Sequence, residues 1–175
     1  MSDPDVTGAH WNFALDVYGA PNVADACLKL QDRHGVDVNV LLVALWAAGT
    51  RKVHIDAKRI AEMDRAVKGL REIAIQPVRQ VRRWMKEAKE LGPLREPALK
   101  EVQQAELALE QLEQALLADL VEGWRERGTL SAPAVRSTAG AVVSYYAAQN
   151  KTEGDLHRSH YEVERVARAA ARQKT

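Results

Sequence analysis

The stretch Asp37-Val38-Asn39-Val40-Leu41-Leu42-Val43-Ala44-Leu45-Trp46-Ala47-Ala48-Gly49 decides the fold. Drawn as a helix, it has apolar side chains around nearly its whole circumference, so it is buried on most sides. Asp37 stands where a side-chain cap serves the first-turn N–H groups, and Gly49-Thr50 closes the run. The apolar segment is much shorter than the roughly 20 residues that cross a bilayer. It therefore reads as the centre of a helical bundle, with no membrane span.

Helical spacing recurs on both sides of this centre, and no strand-like alternation of useful length occurs. Upstream, a short helix fits Ala9–Tyr18, with Thr7 as its cap and Trp11, Leu15 and Tyr18 on one face. Gly19 ends it and Pro21 suits the first turn of a second helix. That helix carries Val23, Cys27, Leu30 and His34 on one stripe, and Gly35 supplies a left-handed stop. Downstream, Asp56 opens an amphipathic stretch with Ile60, Met63, Val67, Leu70 and Ile73 or Ala74 inward, and a break or kink is expected at Pro77. Its continuation places Val78, Val81, Met85 and Ala88 on one side, before Leu91-Gly92-Pro93 stops it. Residues 98–126 give the strongest helix, with Val102, Ala105, Leu109, Leu112 and Leu116 spaced by threes and fours. A short connection makes 57–91 and 97–126 an antiparallel helical hairpin. Ser131 and Pro133 mark a seventh helix, and residues 153–170 form the last. The expectation is an all-α, single-domain bundle over residues 1–175. It comprises compact N-terminal helices at 9–50, the hairpin at 56–126 and C-terminal helices at 131–170.

Composition agrees with a packed domain: 46% of the 175 residues are apolar and 28% charged. Cys27 is the only cysteine, which excludes an intrachain disulfide and a cysteine-based zinc site. No signal peptide is visible at the start, and a cytoplasmic location is expected. The net charge of +1 conceals segregation, with −4 over residues 1–50, +7 over 51–100, −6 over 101–126 and +4 over 127–175. Such blocks complement one another within a fold or across an interface, and a whole-chain pull on nucleic acid is not supported.

Two polar groups are candidate sites. Gln31, Asp32, His34, Asp37 and Asn39 bracket Gly35 beside the most apolar helix, a setting for acid/base or binding chemistry if buried. The same residues also serve as caps and backbone ties. Arg79, Arg82, Arg83 and Lys86 form a basic stripe, with Lys68 and Arg71 upstream. It either binds RNA backbone, an anionic membrane surface or an acidic partner, or pairs with Glu101, Glu106, Glu110 and Glu113 of the facing helix. Glu153, His157, His160 and Glu164 approach one face of a helix, but no second motif completes a metal site, and no metal or cofactor is expected. Cys27 reads as an inert core thiol, and Gly-rich phosphate loops are missing.

The N-terminal pattern is more specific than these motifs. Trp11, Phe13-Ala14-Leu15, Tyr18-Gly19, Pro21 and Val23 are followed by Cys27-Leu28, Leu30-Gln31-Asp32, Gly35, Asp37-Val38-Asn39 and Leu41-Leu42. This resembles a proteobacterial family of short hypothetical proteins classed as domain of unknown function 2390. Gln76-Pro77-Val78-Arg79 with Arg82-Arg83 is a looser echo of the same family. The resemblance implies a small helical cytoplasmic protein and supplies no activity. It draws attention to Gln31, Asp32, Asp37, Asn39, Arg79, Arg82 and Arg83 as sides of one polar groove.

With no catalytic constellation, the leading expectation is a non-enzymatic protein-interaction module, an adaptor or regulator that binds a protein partner or itself. The alternatives are a small-molecule binder or enzyme using Asp32 and Asp37 with the arginines, and RNA or anion binding through residues 79–86.

Overall fold

A computed structural model describes residues 5–124 and 132–173, with the side chains of residues 132 and 133 left out of the description. The described residues form eight α-helices: α1 (Ala9–Tyr18), α2 (Val23–His34), α3 (Val38–Gly49), α4 (Ala57–Leu70), α5 (Gln76–Glu87), α6 (Arg95–Glu122), α7 (Ala132–Gln149) and α8 (His160–Arg172). A π-turn, Arg71–Ile75, joins α4 to α5, and 3-10 turns precede α6 and α8. No strand occurs among these residues, and none of their helices is long and apolar enough to cross a membrane. Residues 125, 126 and 131, part of the sequence-based helix assignments, lie outside the described residues.

The apolar helix α3 is central. Residues 39 to 48 are all buried, with α7, α6 and α1 packed around it. Asp37 Oδ1 accepts hydrogen bonds from the N–H groups of Asn39 and Val40 at 2.9 and 3.2 Å, so the cap forms as its position implies. One contiguous core joins Leu41 and Leu45 of α3 with Leu30 of α2, Ile60 and Met63 of α4 and Leu117 of α6. Gly35 sits at φ +69°, and a Cβ there would meet Asn150 Nδ2 at 2.6 Å. That amide donates to the carbonyls of His34 and Tyr146, tying the end of α2 to the end of α7. Glycine is therefore needed both for the backbone angle and for the close approach.

Four local expectations are corrected. Thr7 does not cap α1: Gly8 occupies the N-cap position with no side-chain bond. At Pro77 the chain neither breaks nor leaves helical backbone angles. The π-turn just before it adds a residue to the helical winding, and Pro77 falls in the first turn of α5, where a missing N–H costs little. The inserted residue also shifts the phase, so Ile75 is buried while Ile73 is 82% exposed. Beyond it Val81 and Trp84 face outward, at 46% and 57% exposed.

In α6 the stripe 102, 105, 109, 112, 116 is not the buried one. The inward residues are Leu99, Glu106, Glu113, Gln114, Leu117 and Val121. The distal half of this helix turns Glu106 as well as Leu99 toward its partner. Finally, Glu153–Ser159 is a 3-10 helix, so the α-helical spacing assumed for Glu153, His157 and His160 does not hold there. No group of metal-ligating side chains comes together among the described residues.

The hairpin of α4–α5 against α6 has two parts. Its base joins the main core through Ile60, Met63, Val67, Leu117, Ala118 and Val121. Its far half, here called the arm, is closed by Ile75, Met85, Ala88 and Leu99, which are buried but separate from that core.

A cleft between the N-terminal helices and the arm

An open cleft of roughly 1230 Å³ lies between α1 and α2 on one side and α5 and α6 on the other. Its apolar wall comes from α1. That helix buries Phe13, Ala14 and Val17 in the core, while Trp11, Leu15 and Tyr18 line the cleft. Spacings of four and three residues put these on one face. Leu28 of α2 and Leu107 of α6 add to the apolar lining, and Leu15, Tyr18, Leu28 and Leu107 are all exposed.

The polar floor is built on the end of α3 and the adjoining turn of the hairpin. Arg71, in the π-turn, donates from one guanidinium nitrogen to Asp37 Oδ2 and from another to Asp64 Oδ1, both at 2.7 Å. Tyr146 donates to Asp64 Oδ1 at 2.9 Å and Tyr145 to Asp64 Oδ2 at 3.2 Å. Arg71 thus ties the cap of α3 to α4 and α7. Burial and the Asp37 carboxylate push the Tyr146 phenol upward.

Next to it, Gln114 Nε2 donates to Asn39 Oδ1 at 2.8 Å, and Asn39 Nδ2 donates to Glu113 Oε2 at 2.6 Å. Glu113 is 1% exposed. Burial, reinforced by the neighbouring Asp37 carboxylate, raises its carboxyl to about 9, so it is neutral at neutral pH. Glu113 Oε1 and Gln114 Oε1 receive no hydrogen bond from the protein.

The arm side carries the basic stripe, of which Arg79 and Arg82 face inward while Arg83 and Lys86 are exposed. Arg79 Nε donates to Glu106 Oε1 at 3.0 Å and its Nη2 to Glu110 Oε1 at 2.7 Å. Arg82 also donates to Glu106, through both Nε and Nη2. Burial opposes ionisation of Glu106, but the Arg82 and Arg79 guanidiniums outweigh it and hold its carboxyl below the ordinary value. In Glu110 burial outweighs Arg79, and the shift is upward. Gln31 accepts a long bond of 3.4 Å from Arg79 across the cleft.

Of the eight residues singled out in the sequence, seven line this cleft: Gln31, Asp32, Asp37, Asn39, Arg79, Arg82 and Arg83. Asp32 and Arg83 are exposed at its rim. His34 is not among them. It is fully buried on the opposite side of α2, between Thr152 Oγ1 and Ser159 Oγ at 2.8 Å each, where burial lowers its pKa. Its place is structural, linking α2 to the 3-10 turn before α8.

Sequence reasoning missed Asp64, Glu113, Gln114 and Tyr146 as members of the floor. For Glu113 a signal existed: Leu99, Glu106 and Glu113 recur every seven residues, in phase with the core residues Leu117 and Val121.

The fold and its cleft define an all-α bundle whose ion-paired arm stands over a half-apolar, half-polar groove. The chain belongs to the family described as protein of unknown function DUF2390, which matches residues 9–117. That span runs from α1 through most of α6 and so includes the cleft helices other than α7, which adds Tyr146 and Gln149. No curated protein and no solved structure matches the chain.

Proposed function

We propose that the protein is a non-enzymatic interaction module that receives a helical or extended segment of another protein in this cleft. The observation that carries the reading is the second apolar stripe of α1: Trp11, Leu15 and Tyr18 face the groove instead of the core. Aromatic and leucine anchors at helical spacing, rimmed by arginine and carboxylate, are the surface that helix-in-groove recognition uses. Size favours a segment over a metabolite. The cleft exceeds the roughly 300–1,000 Å³ of pockets that enclose small ligands, and it is open along its length.

Charge argues in the same direction. Arg79 and Arg82 are engaged by Glu106 and Glu110, and Asp37 is held by Arg71. Guanidiniums already held by carboxylates are poor receptors for RNA phosphate or a small anion. The reading places the protein in a bacterial cytoplasm, which suits the free, buried Cys27, whose thiol is pushed up to about 12 by burial.

Site-specific photocrosslinking in cells tests it. A crosslinker at Leu15 is expected to trap one discrete partner, whereas one at exposed Glu153 traps none. Leu15→Asp should reduce crosslinking from Tyr18 by about tenfold, the scale of a lost interface anchor. Equal, diffuse products from both positions would sink the reading.

A further inference from the structure

We infer that the back of the hairpin, the side turned away from the cleft, is the surface through which two copies of this chain pair. This is a second surface, independent of what the cleft receives.

A row of apolar side chains on α6 has no place in the core or the cleft. Val102, Ala105, Leu109, Leu112 and Leu116 are spaced by threes and fours, the spacing of a helix–helix seam. Each is exposed or half-buried, none belongs to the main core and none lines the cleft. A second row runs along the π-turn and α5. Ile73, Pro77, Val81 and Trp84 are all exposed and are likewise absent from core and cleft.

Both rows lie on one side of the hairpin. At about 100° per residue, the row on α6 stands opposite Leu107 and Gln114, the cleft side of that helix. Val81 and Trp84 are turned away from Arg79 and Arg83, the cleft side of α5. Exposed leucine, valine and tryptophan on neighbouring helices make one apolar face, which a lone chain leaves in water.

Its size suits a stable pair. Between residues 98 and 120 the back of α6 is roughly 35 Å long, and two packed helices are roughly 20 Å across. The face is therefore about 700 Å², close to the roughly 800 Å² that each partner of a standard interface buries.

Charge selects a second copy as the occupant. Residues 51–100 carry +7 and residues 101–126 carry −6, so one apolar row lies on a basic segment and the other on an acidic one. Arg83 and Lys86 remain exposed on α5, and Glu101 on α6. A uniformly charged partner, such as RNA or an anionic bilayer, is repelled by half of this surface. A second copy, turned about a twofold axis parallel to the hairpin, lays its α6 on α5 and its α5 on α6. Basic then meets acidic along both seams, and the isologous contact closes at two copies. Neither row lines the cleft, so the pair keeps two clefts open on its outer sides.

Sedimentation equilibrium of the whole chain, from nanomolar to hundreds of micromolar, tests the pairing. A monomer–dimer equilibrium is expected. Ile73→Glu combined with Trp84→Glu alters only exposed side chains and should weaken pairing at least about thirtyfold, as for a lost interface anchor. The helical circular dichroism of that variant should stay intact, and Leu15→Asp in the cleft should leave pairing unchanged. Oxidation of a mixture of Val81→Cys and Ala105→Cys chains is expected to give the mixed disulfide dimer. A chain that is monomeric at every concentration overturns the pairing and leaves this face to another protein or a membrane. A dimer undisturbed by the double variant overturns it as well, because the copies then meet elsewhere. Disulfides formed only between like chains overturn the packing of α5 on α6.

Discussion

Around α3, helices meet through side chains with no exposed surface, such as Leu41, Leu45 and Leu117. Along the arm, α5 and the distal half of α6 meet through Arg79, Arg82, Glu106 and Glu110, with only a few apolar residues such as Met85 and Leu99 beside them. Apolar burial is non-directional and contributes in proportion to area. An ion-paired seam fixes geometry and register, but the cost of desolvating its charges offsets much of the attraction. The body supplies stability and the arm supplies shape. The cleft lies where these two ways of closing a helix pair meet, which places a rigid wall opposite a less stable one.

The largest expected effect separates the two regions directly. Leu41→Ala empties fully buried space in α3 and should lower global stability by about 3–5 kcal/mol in urea denaturation. Met85→Ala, in the arm, should cost no more than about 2 kcal/mol and leave α3 amides as protected from hydrogen exchange as before. Equal losses at both positions would mean that arm and body unfold as one unit.

A second effect uses pH. The Glu113 carboxyl has a folded value above its unfolded one, so folding takes up a proton between about 4.5 and about 9. Its contribution to stability is undiminished below that window and falls as pH rises through it. Glu113→Gln should therefore change stability little at pH 4.5 and raise it by on the order of 1–3 kcal/mol at pH 9. Glu106 runs the other way. Its folded value is depressed, so its contribution is present above the ordinary carboxyl range and lost as pH falls through the folded value.

The smallest effect is local. Glu106→Gln should cost about 1 kcal/mol in the arm. Exchange at the backbone amides of Val81 and Val102 should accelerate while those of α3 stay unchanged, and acid should produce the same pattern in the wild-type chain. Acceleration in α3 as well would erase the distinction between the two regions.

What was legible in the sequence follows the same division. The helix α3 could be read because its apolar residues leave no polar face, and Asp37 because a carboxylate before such a run has one obvious local task. The phase of α6 could not be read from its leucines. In the arm half, Glu106 takes an inward position beside Leu99, and the arginine partners of Glu106 and Glu110 lie 24 to 31 residues upstream. On α1, Trp11, Leu15 and Tyr18 compete with Phe13, Ala14 and Val17, and only the neighbours decide which stripe meets the core. The polar groove could be sketched because Asp37, Asn39 and the arginines are prominent. Its floor could not, since Asp64, Glu113 and Tyr146 come from three separate helices.

The π-turn before Pro77 makes the arm's chemistry depend on chain length as much as on residue identity. Removing one residue from Arg71–Ile75 would restore regular winding and rotate everything beyond it by roughly 100°. Arg79 and Arg82 would then swing away from Glu106, although no charged residue had been altered. The turn acts as a phase setter, and a single-residue deletion there is a way to open the seam of the arm without touching a single member of it.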